Sequence, residues 1–538
     1  MGENNVLWLA LKGTLFFFFL AFFFYPLALV LARSLSSGPE IFALFLEFVS
    51  SRQQILWNSF YQAAVSTIFS VIVALPLAYV IAKRSFPGKK IVKALSLIPF
   101  VFPSILVVLS FVVIFGNNGW VNSFLRNYAG FSEPIQFLYG FSGIILAHVF
   151  YNFPIVMRFV SDAWENLDVS MKEAAKTLGA TPLNVFLNVT LPQLLPSILA
   201  SASLVFIFTF MSFTIVLTLG GIQFTTLEVE IFRQVSRNLD FALSSSLAVF
   251  QFALLSVAAF LYLHFSKKYA FGERLRTEKP IPLSLGSLRG FIEALVLAAG
   301  IFFIALPLAS LFAFAFTDPA TGNFTLKAFS KIFSSSNVGL FSTSPLDSIG
   351  FSLFLAIIAS FTATLIGLLA SLKRSRIPFL EYIINATLAI SVITLGFGYF
   401  LGYGSGNLLI IALGHSVLAF PFAFRIIKNS LDKIDPESID AAKTLGATDF
   451  AVFRSVQLPR IRGALFASTI FSFAVSLGEL GLVLILYDGV YATMPVYIYR
   501  LLTTYDLFAA TAMGLVLVAI SFLSFYALEL FSAEAKVF

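Results

Sequence analysis

The chain contains 538 residues, of which 59% are hydrophobic and only 11% are charged, and its mean hydropathy is +0.93. Soluble proteins carry about 25% charged residues, so this composition excludes a soluble globular protein. Basic loops beside a membrane account for the net charge of +7 without a nucleic-acid partner, and the lack of cysteine excludes disulfides, thiolate chemistry and cysteine metal sites.

Long runs of Phe, Leu, Ile and Val exceed the roughly 18 residues that a helix needs to cross a bilayer. They predict an all-α polytopic membrane protein surrounded by membrane lipid. The first run follows Lys12 and is too long for the core of a secretory signal, so we expect it to remain in the protein. Twelve spans are predicted, at about residues 6–32, 55–82, 94–115, 141–161, 196–219, 243–265, 291–316, 348–372, 379–402, 408–427, 464–486 and 507–530.

Basic residues cluster after the second, sixth and eighth predicted spans. Because cytoplasmic loops are enriched in Lys and Arg, these clusters predict that both termini are cytoplasmic. The first six and the last six predicted spans form the two halves of the chain. Because six is an even number, the two halves share one orientation in the membrane, as parallel repeats. The clusters are Lys83, Arg84, Lys89, Lys90 and Lys93; Lys267, Lys268, Arg274, Arg276 and Lys279; and Lys373, Arg374 and Arg376.

One polar segment occurs twice in this apolar chain. Residues 173–196 read EAAKTLGATPLNVFLNVTLPQLLP and residues 440–463 read DAAKTLGATDFAVFRSVQLPRIRG, at an offset of 267. We call these two stretches the repeated segments. The repeat divides the chain into a first half (1–265, with its loop at about 162–195), a cytoplasmic linker (266–290) and a second half (291–538, with its loop at about 429–463).

The duplication extends beyond the repeated segments. His148, Pro154 and Arg158 recur at the same offset as His415, Pro421 and Arg425. Further upstream the offset changes to 290, since Lys83-Arg84 corresponds to Lys373-Arg374. The first half therefore holds about 23 additional residues, which we place in the external stretch 116–140.

Each repeated segment reads as two short helices joined at a glycine. Ala-rich sequence favours a helix that ends at Gly179 or Gly446, because glycine is the preferred residue just after a helix. A second short helix follows, with Phe186 or Phe453 as its apolar anchor. We expect Leu191-Pro192, and likewise Leu458-Pro459, to end that helix and redirect the chain. Such a unit can insert into a groove of a soluble partner.

The pattern E-A-A-x-x-x-G-A, followed nine or ten residues later by L-P, resembles the EAA loop of ABC-importer permeases. The first copy matches fully, and the second departs by Asp440 and Gly463. The resemblance covers nearly the whole chain as a fused type I permease of two six-helix repeats. It implies that each loop docks one of two ATP-binding cassette subunits on the cytoplasmic face. The residues it assigns to this contact are Glu173, Ala174, Ala175, Gly179, Ala180, Asp440, Ala441, Ala442, Gly446 and Ala447.

The same resemblance implies an external solute-binding protein and no enzyme activity in this chain. No G-x-x-x-x-G-K-[ST] sequence occurs, since Gly88-Lys89 lacks the upstream glycine, so no P-loop of its own can hydrolyse ATP. No cofactor and no metal site are predicted, because the three histidines are scattered without a zinc-ligand spacing.

Fused permeases of this length resemble the thiamine and ferric-iron groups. Thiamine is favoured because two stretches resemble the corresponding segments of thiamine permeases: LGGIQFTTLEVEI at 219–231, and LGELG at 477–481 with TMPVYIY at 493–499. Ferric iron, or another small ion, is the alternative cargo. A twelve-helix secondary transporter is the alternative of another class, but it would not need two EAA loops.

Three polar residues inside predicted spans are candidates for the solute path: Glu479, His148 and His415. Charges at membrane depth cost roughly 2.5–3.5 kcal/mol, so they usually face a cavity or a partner. A carboxylate at Glu479 would suit a cationic solute such as thiamine. The structural alternatives are a helix cap at Glu479 and hydrogen bonds between helices at the two histidines.

Overall fold

The fold is built almost entirely of helices. The computed structural model describes residues 2–36, 40–95, 102–221, 224–269, 280–318, 321–333, 342–372, 384, 386–387 and 389–532. Arg274, Arg276 and Lys279 of the predicted linker and the cluster Lys373, Arg374 and Arg376 lie outside these residues.

The first half contains fourteen described α-helices, three π-helical turns and one short strand. The π turns are Leu20–Phe24, Phe186–Thr190 and Gln234–Asn238, and the strand β1 is Arg84–Ser85. The α-helices are α1 Gly2–Phe19, α2 Tyr25–Ser36, α3 Glu40–Ser51, α4 Gln53–Lys83, α5 Lys89–Leu95, α6 Ser104–Phe115, α7 Trp120–Tyr128, α8 Phe141–Glu165, α9 Ser170–Thr177, α10 Pro182–Val185, α11 Leu191–Phe210, α12 Thr214–Leu219, α13 Leu227–Arg233 and α14 Phe241–Tyr269.

The remainder of the chain follows the same plan within its described residues. The strand β2 is Ile281–Pro282, and a further π turn spans Phe453–Gln457. The α-helices are α15 Leu288–Ala315, α16 Lys327–Phe333, α17 Pro345–Ser371, α18 Val392–Tyr403, α19 Leu408–Leu431, α20 Pro436–Thr444, α21 Asp449–Val452, α22 Leu458–Leu477, α23 Gly481–Leu486, α24 Met494–Thr503 and α25 Leu507–Ser532.

The helices confirm the predicted all-α membrane architecture. In the described part of the chain, eleven helical segments are long and apolar enough to span a membrane, and α18 is a shorter apolar helix where the ninth span was predicted. The fifth and eleventh spans are interrupted, because α11 and α12 are separated at residues 211–213, and α22 and α23 at residues 478–480. The additional residues of the first half lie at 116–140, as expected, and contain α7.

The chain forms two compact units that do not coincide with its sequence halves. One unit comprises Met1–Glu47, Ile231–Phe250 and Phe314–Phe538, and the other comprises Phe48–Glu230 and Gln251–Ala313. The first long helix of each half is therefore part of the unit formed mainly by the other half. The boundaries 1–265 and 291–538 describe the sequence repeat and not the compact bodies.

In the unit that contains the N-terminus, the π turn before Pro26 receives two tyrosine hydroxyls. Proline has no N–H to donate to the carbonyl of Phe22, and the Tyr25 N–H bonds Leu20 instead of Ala21. Both released carbonyls accept hydrogen bonds, from Tyr399 Oη to Phe22 O at 2.7 Å and from Tyr403 Oη to Ala21 O at 2.6 Å. The N-terminal span is thereby bonded to α18.

In the other unit, a nearly buried ion pair joins Arg84 of β1, the residue directly after α4, to Glu293 of α15. Arg84 Nε lies 2.6 Å from Glu293 Oε2, and Arg84 Nη2 lies 2.9 Å from Glu293 Oε1, so the contact is bidentate. The hydrogen bonds to this carboxylate raise the pKa of Arg84. Beside it, β1 pairs in parallel with β2, with Arg84 opposite Ile281. This contact fixes the start of the second half to the first.

Candidate partner-docking segments and solute path

The first repeated segment begins with a short helix that glycine ends in the expected way. Asp168 Oδ1 accepts the Ser170 N–H at 3.0 Å, which satisfies a free donor at the start of α9. At the other end, Gly179 has φ +82°, its N–H donates to Lys176 O at 2.9 Å, and the Ala180 N–H donates to Ala175 O at 3.0 Å. These two bonds make a Schellman motif, which requires the left-handed backbone that glycine adopts without strain.

The second repeated segment has the same hydrogen bonds at the equivalent residues. Asp435 Oδ1 accepts the Glu437 N–H at 3.0 Å. Gly446 has φ +83°, its N–H donates to Lys443 O at 2.9 Å, and Ala447 N–H donates to Ala442 O at 3.1 Å. The helix–glycine–helix prediction is therefore confirmed in both copies, and threonine hydroxyls at Thr181 and Thr448 cap the following helix.

The prediction that Leu191-Pro192 ends the second short helix is wrong. From α10 the chain continues through one π turn directly into α11, and Pro192 lies in the first turn of α11. The Leu191 N–H bonds Phe186 O, five residues back, because a wider turn keeps the proline ring away from the carbonyl four residues before it. Leu458-Pro459 behaves in the same way after the turn Phe453–Gln457.

Buried aliphatic residues at equivalent positions attach each repeated segment to its own helical bundle. Around the first, Val160, Leu167 and Leu194 belong to a core cluster; around the second, Ile427, Ile434 and Ile461 form one. The predicted anchor Phe186 is 38% exposed and stacks on Trp164, whereas the preceding Val185 is buried. Valine at 185 and at 452 is therefore the buried anchor of the second helix.

The remaining surface of the repeated segments is open. Glu173, Ala174 and Gly179 are exposed and Ala175 and Ala180 are half-buried, and their counterparts Asp440, Ala441, Gly446, Ala442 and Ala447 follow the same pattern. Sequence reasoning missed the most exposed apolar side chains here, since Leu178 is 88% exposed and Leu445 is 89% exposed. The available signal was that both leucines lie in the stretch that is identical in the two copies, AAKTLGAT at 174–181 and 441–448.

The two candidate histidines are buried between helices and differ in their partners. His148 bonds Ser66 Oγ through Nδ1 at 2.9 Å and Ser212 Oγ through Nε2 at 2.8 Å. His415 bonds Ser476 Oγ through Nδ1 at 2.7 Å. The interhelical hydrogen bonds anticipated as the alternative are thus present at both positions.

Glu479 lies in the break between α22 and α23. Its Oε1 accepts the N–H groups of Gly481 at 2.6 Å and Leu482 at 3.2 Å, so the carboxylate caps the short helix α23. The side chain is half-buried. Among the residues that the structure describes, no group of three or more His, Asp or Glu side chains could hold a metal ion.

A family model for the binding-protein-dependent transport system inner membrane component matches residues 71–271 and 363–537 of this chain. The chain belongs to this family. The match covers both repeated segments and most of the spans of each half, which confirms the resemblance noted in the sequence. This permease is thus a membrane component of a transporter, and the family favours an importer over a secondary transporter.

Two similar proteins align with most of this permease, and a third aligns with less than half of it. The thiamine transport system permease protein ThiP of Brucella abortus is 26% identical over 501 residues, 91% of this chain and 89% of that protein. ThiP of Haemophilus influenzae is 27% identical over 473 residues, 84% of each chain. A putative 2-aminoethylphosphonate transport system permease protein, PhnU of Salmonella typhi, is 30% identical over 237 residues, 43% of this chain and 82% of that protein.

Proposed function

We propose that this chain is the permease of an ABC importer that carries thiamine into the cell. The observation that supports thiamine is the similarity to ThiP, which extends through both halves of a fused permease. An external solute-binding protein delivers the vitamin to the outer side, near residues 220–240 and 488–506. The protein spans the plasma membrane of a prokaryote with both termini in the cytoplasm. Ferric iron, the alternative cargo, has no comparable supporting observation.

The repeated segments connect this permease to its motor. Each presents an exposed helix, a rigid glycine turn and an apolar tip, and each is attached to its own bundle by a buried aliphatic cluster. Two equivalent segments suit two copies of an ATP-binding subunit on the cytoplasmic face. Closure of the paired ATPases on ATP draws the segments together and opens the path outward, and hydrolysis reopens it inward.

Uptake by reconstituted vesicles tests the cargo. The permease is reconstituted in vesicles with its ATPases and ATP in the lumen and the binding protein outside. These vesicles should accumulate radiolabelled thiamine. Uptake should stop when ATP is replaced by a non-hydrolysable analogue. Accumulation of ferric iron without thiamine would contradict the proposal, and uptake that follows an ion gradient without ATP would contradict the importer class.

Proline at the two glycine turns tests the docking assignment. Gly179→Pro with Gly446→Pro removes the N–H donor and forbids φ near +82°, so the turn should open and ATPase copurification should be lost. Asparagine tolerates the left-handed region, so Gly179→Asn with Gly446→Asn is the control that should retain binding. Retained association in the proline variant would show that the motor docks elsewhere.

A further inference from the structure

The two halves can be compared residue by residue around the candidate solute path. The helices α11 and α12 occupy residues 191–210 and 214–219, and α22 and α23 occupy 458–477 and 481–486, again at an offset of 267. The break between each pair is three residues long in both halves. Any difference in side-chain bonding at equivalent positions is therefore a difference in chemistry on a common backbone.

In the first half, the histidine and the break are tied together. His148 is 1% exposed, and both its ring nitrogens bond serine hydroxyls, one of them Ser212 in the break. Ser66 lies on α4, so the imidazole joins α4, α8 and the end of α11. The hydrogen bonds of this imidazole are therefore satisfied without a solute.

In the second half, the equivalent histidine has one ring nitrogen without a hydrogen bond to the described residues. His415 is also 1% exposed, and its Nδ1 bonds Ser476, but its Nε2 has no hydrogen-bond partner among the described residues. A buried polar atom without a partner is disfavoured, and such atoms in native proteins call for a functional or structural reason.

The position that binds the first histidine carries an acid in the second half. Glu479 is the counterpart of Ser212 at the offset of 267. Ser476 connects Glu479 to His415. Its Oγ bonds the imidazole, and its carbonyl oxygen accepts the Glu479 N–H at 3.3 Å. The carboxylate is half-buried and oriented by two backbone N–H groups.

We propose that His415 Nε2 and the Glu479 carboxylate form the subsite of the second half that contacts an organic cation during transport, while His148 and its serines act only as an interhelical support. The inference rests on the proposed function and narrows it to one half of the permease. The carboxylate matches the positive ring of the solute, and the free imidazole nitrogen can donate or accept one hydrogen bond with a polar group of the same molecule. The first half, with serine in place of the acid, supplies no charge.

Transport of thiamine can be compared with that of 3-deazathiamine, whose corresponding ring is uncharged. Wild-type permease and each variant are assayed with the same binding protein and ATPases, so discrimination by the binding protein cancels in the comparison. Glu479→Gln should lower the preference for thiamine, as the ratio of kcat/KM values, about tenfold, in line with the loss of one charged contact. The matched Ser212→Ala should lower the melting temperature and keep the preference.

His415→Asn is the second variant, because asparagine retains a polar group near the Nδ1 position and removes Nε2. It should lower kcat/KM for thiamine and for 3-deazathiamine alike without lowering the melting temperature, because the two compounds differ only in the charged ring. An unchanged preference in Glu479→Gln together with unchanged kcat/KM values in His415→Asn, in permease that transports thiamine and melts normally, would overturn the subsite alone. Wild-type vesicles that import neither compound would overturn the proposed function and this inference with it.

Discussion

Leu178 and Leu445 are the residues that best distinguish the repeated segments from ordinary loops. A single exposed leucine is unremarkable on a protein surface. Here the two equivalent leucines are 88% and 89% exposed, and each directly precedes a glycine with a left-handed backbone. The turn holds the side chain outward in the same way in both copies, which suits insertion into an apolar pocket of a partner.

Replacement of these leucines should weaken the complex with the ATP-binding subunits. Burying a leucine contributes about 1.5–3 kcal/mol, so Leu178→Asp or Leu445→Asp should weaken binding at its own segment by roughly ten- to a hundredfold. The melting temperature of the permease should not change, because neither side chain is packed. Surface plasmon resonance with immobilised permease measures the effect.

The control for these variants is Leu285→Asp. Leu285 is 68% exposed and lies outside the repeated segments, so this replacement adds the same charge without touching the proposed interface. Equal loss of ATPase binding in the control and in the leucine variants would show that net charge, and not the apolar tip, determines the affinity.

At the scale of the element, π turns recur next to proline. The turns Leu20–Phe24, Phe186–Thr190 and Phe453–Gln457 each end two residues before a proline, at Pro26, Pro192 and Pro459. In every case the residue between them bonds the carbonyl five positions back. The helix keeps its direction by widening one turn, and the carbonyls left over are available to other side chains.

Sequence reasoning predicted the features that local chemistry determines. Gly179 and Gly446 ended their helices as expected, because few residues other than glycine adopt φ near +80° without strain. It failed at Pro192, since proline early in a helix and proline after a helix look alike in sequence and differ only in how the preceding turn is wound. The breaks before α12 and α23 were also missed, because hydropathy is insensitive to a three-residue interruption.

The solute path illustrates a further limit of sequence reasoning. His148 and His415 are equivalent in sequence, yet the partner Ser66 lies 82 residues upstream of His148 on another helix. The packing of α4 against α8 brings Ser66 to His148. Only the folded structure therefore shows that both nitrogens of His148 are bonded while one nitrogen of His415 is not.

The ion pair between Arg84 of β1 and Glu293 of α15 supports a prediction at the scale of the element. Glu293 is nearly buried and accepts bidentate bonds from Arg84, so Glu293→Gln leaves Arg84 without its counter-charge. Removing one partner of a buried pair costs about 3–5 kcal/mol, and the melting temperature in detergent should fall accordingly. Arg84→Met combined with Glu293→Leu should recover most of that loss, because neither charge then remains buried. A stable Glu293→Gln variant would mean that the pair contributes little.

At the scale of the whole molecule, each compact unit depends on residues from both sequence halves. Tyr399 of the second half bonds Phe22 of the first within one unit, and Arg84 of the first half bonds Glu293 of the second within the other. A duplicated permease could have kept its halves separate, each with its own first helix. Exchange of that helix means that neither half contains a complete unit.

This exchange predicts the behaviour of a chain cut in the linker 266–290. The two fragments, residues 1–275 and residues 276–538, are coexpressed in the same cell. They should copurify through a tag on either fragment and support thiamine uptake, because all the contacts within both units can form. Each piece expressed alone should be unstable, since it exposes the surface that the exchanged helix covers, and size-exclusion chromatography should show aggregation. A double variant of the cut chain, Tyr399→Phe with Tyr403→Phe, removes the two hydroxyls that bond the carbonyls beside Pro26 and should weaken copurification. A half that is monodisperse and melts cooperatively on its own would show that the helix exchange is not needed for folding.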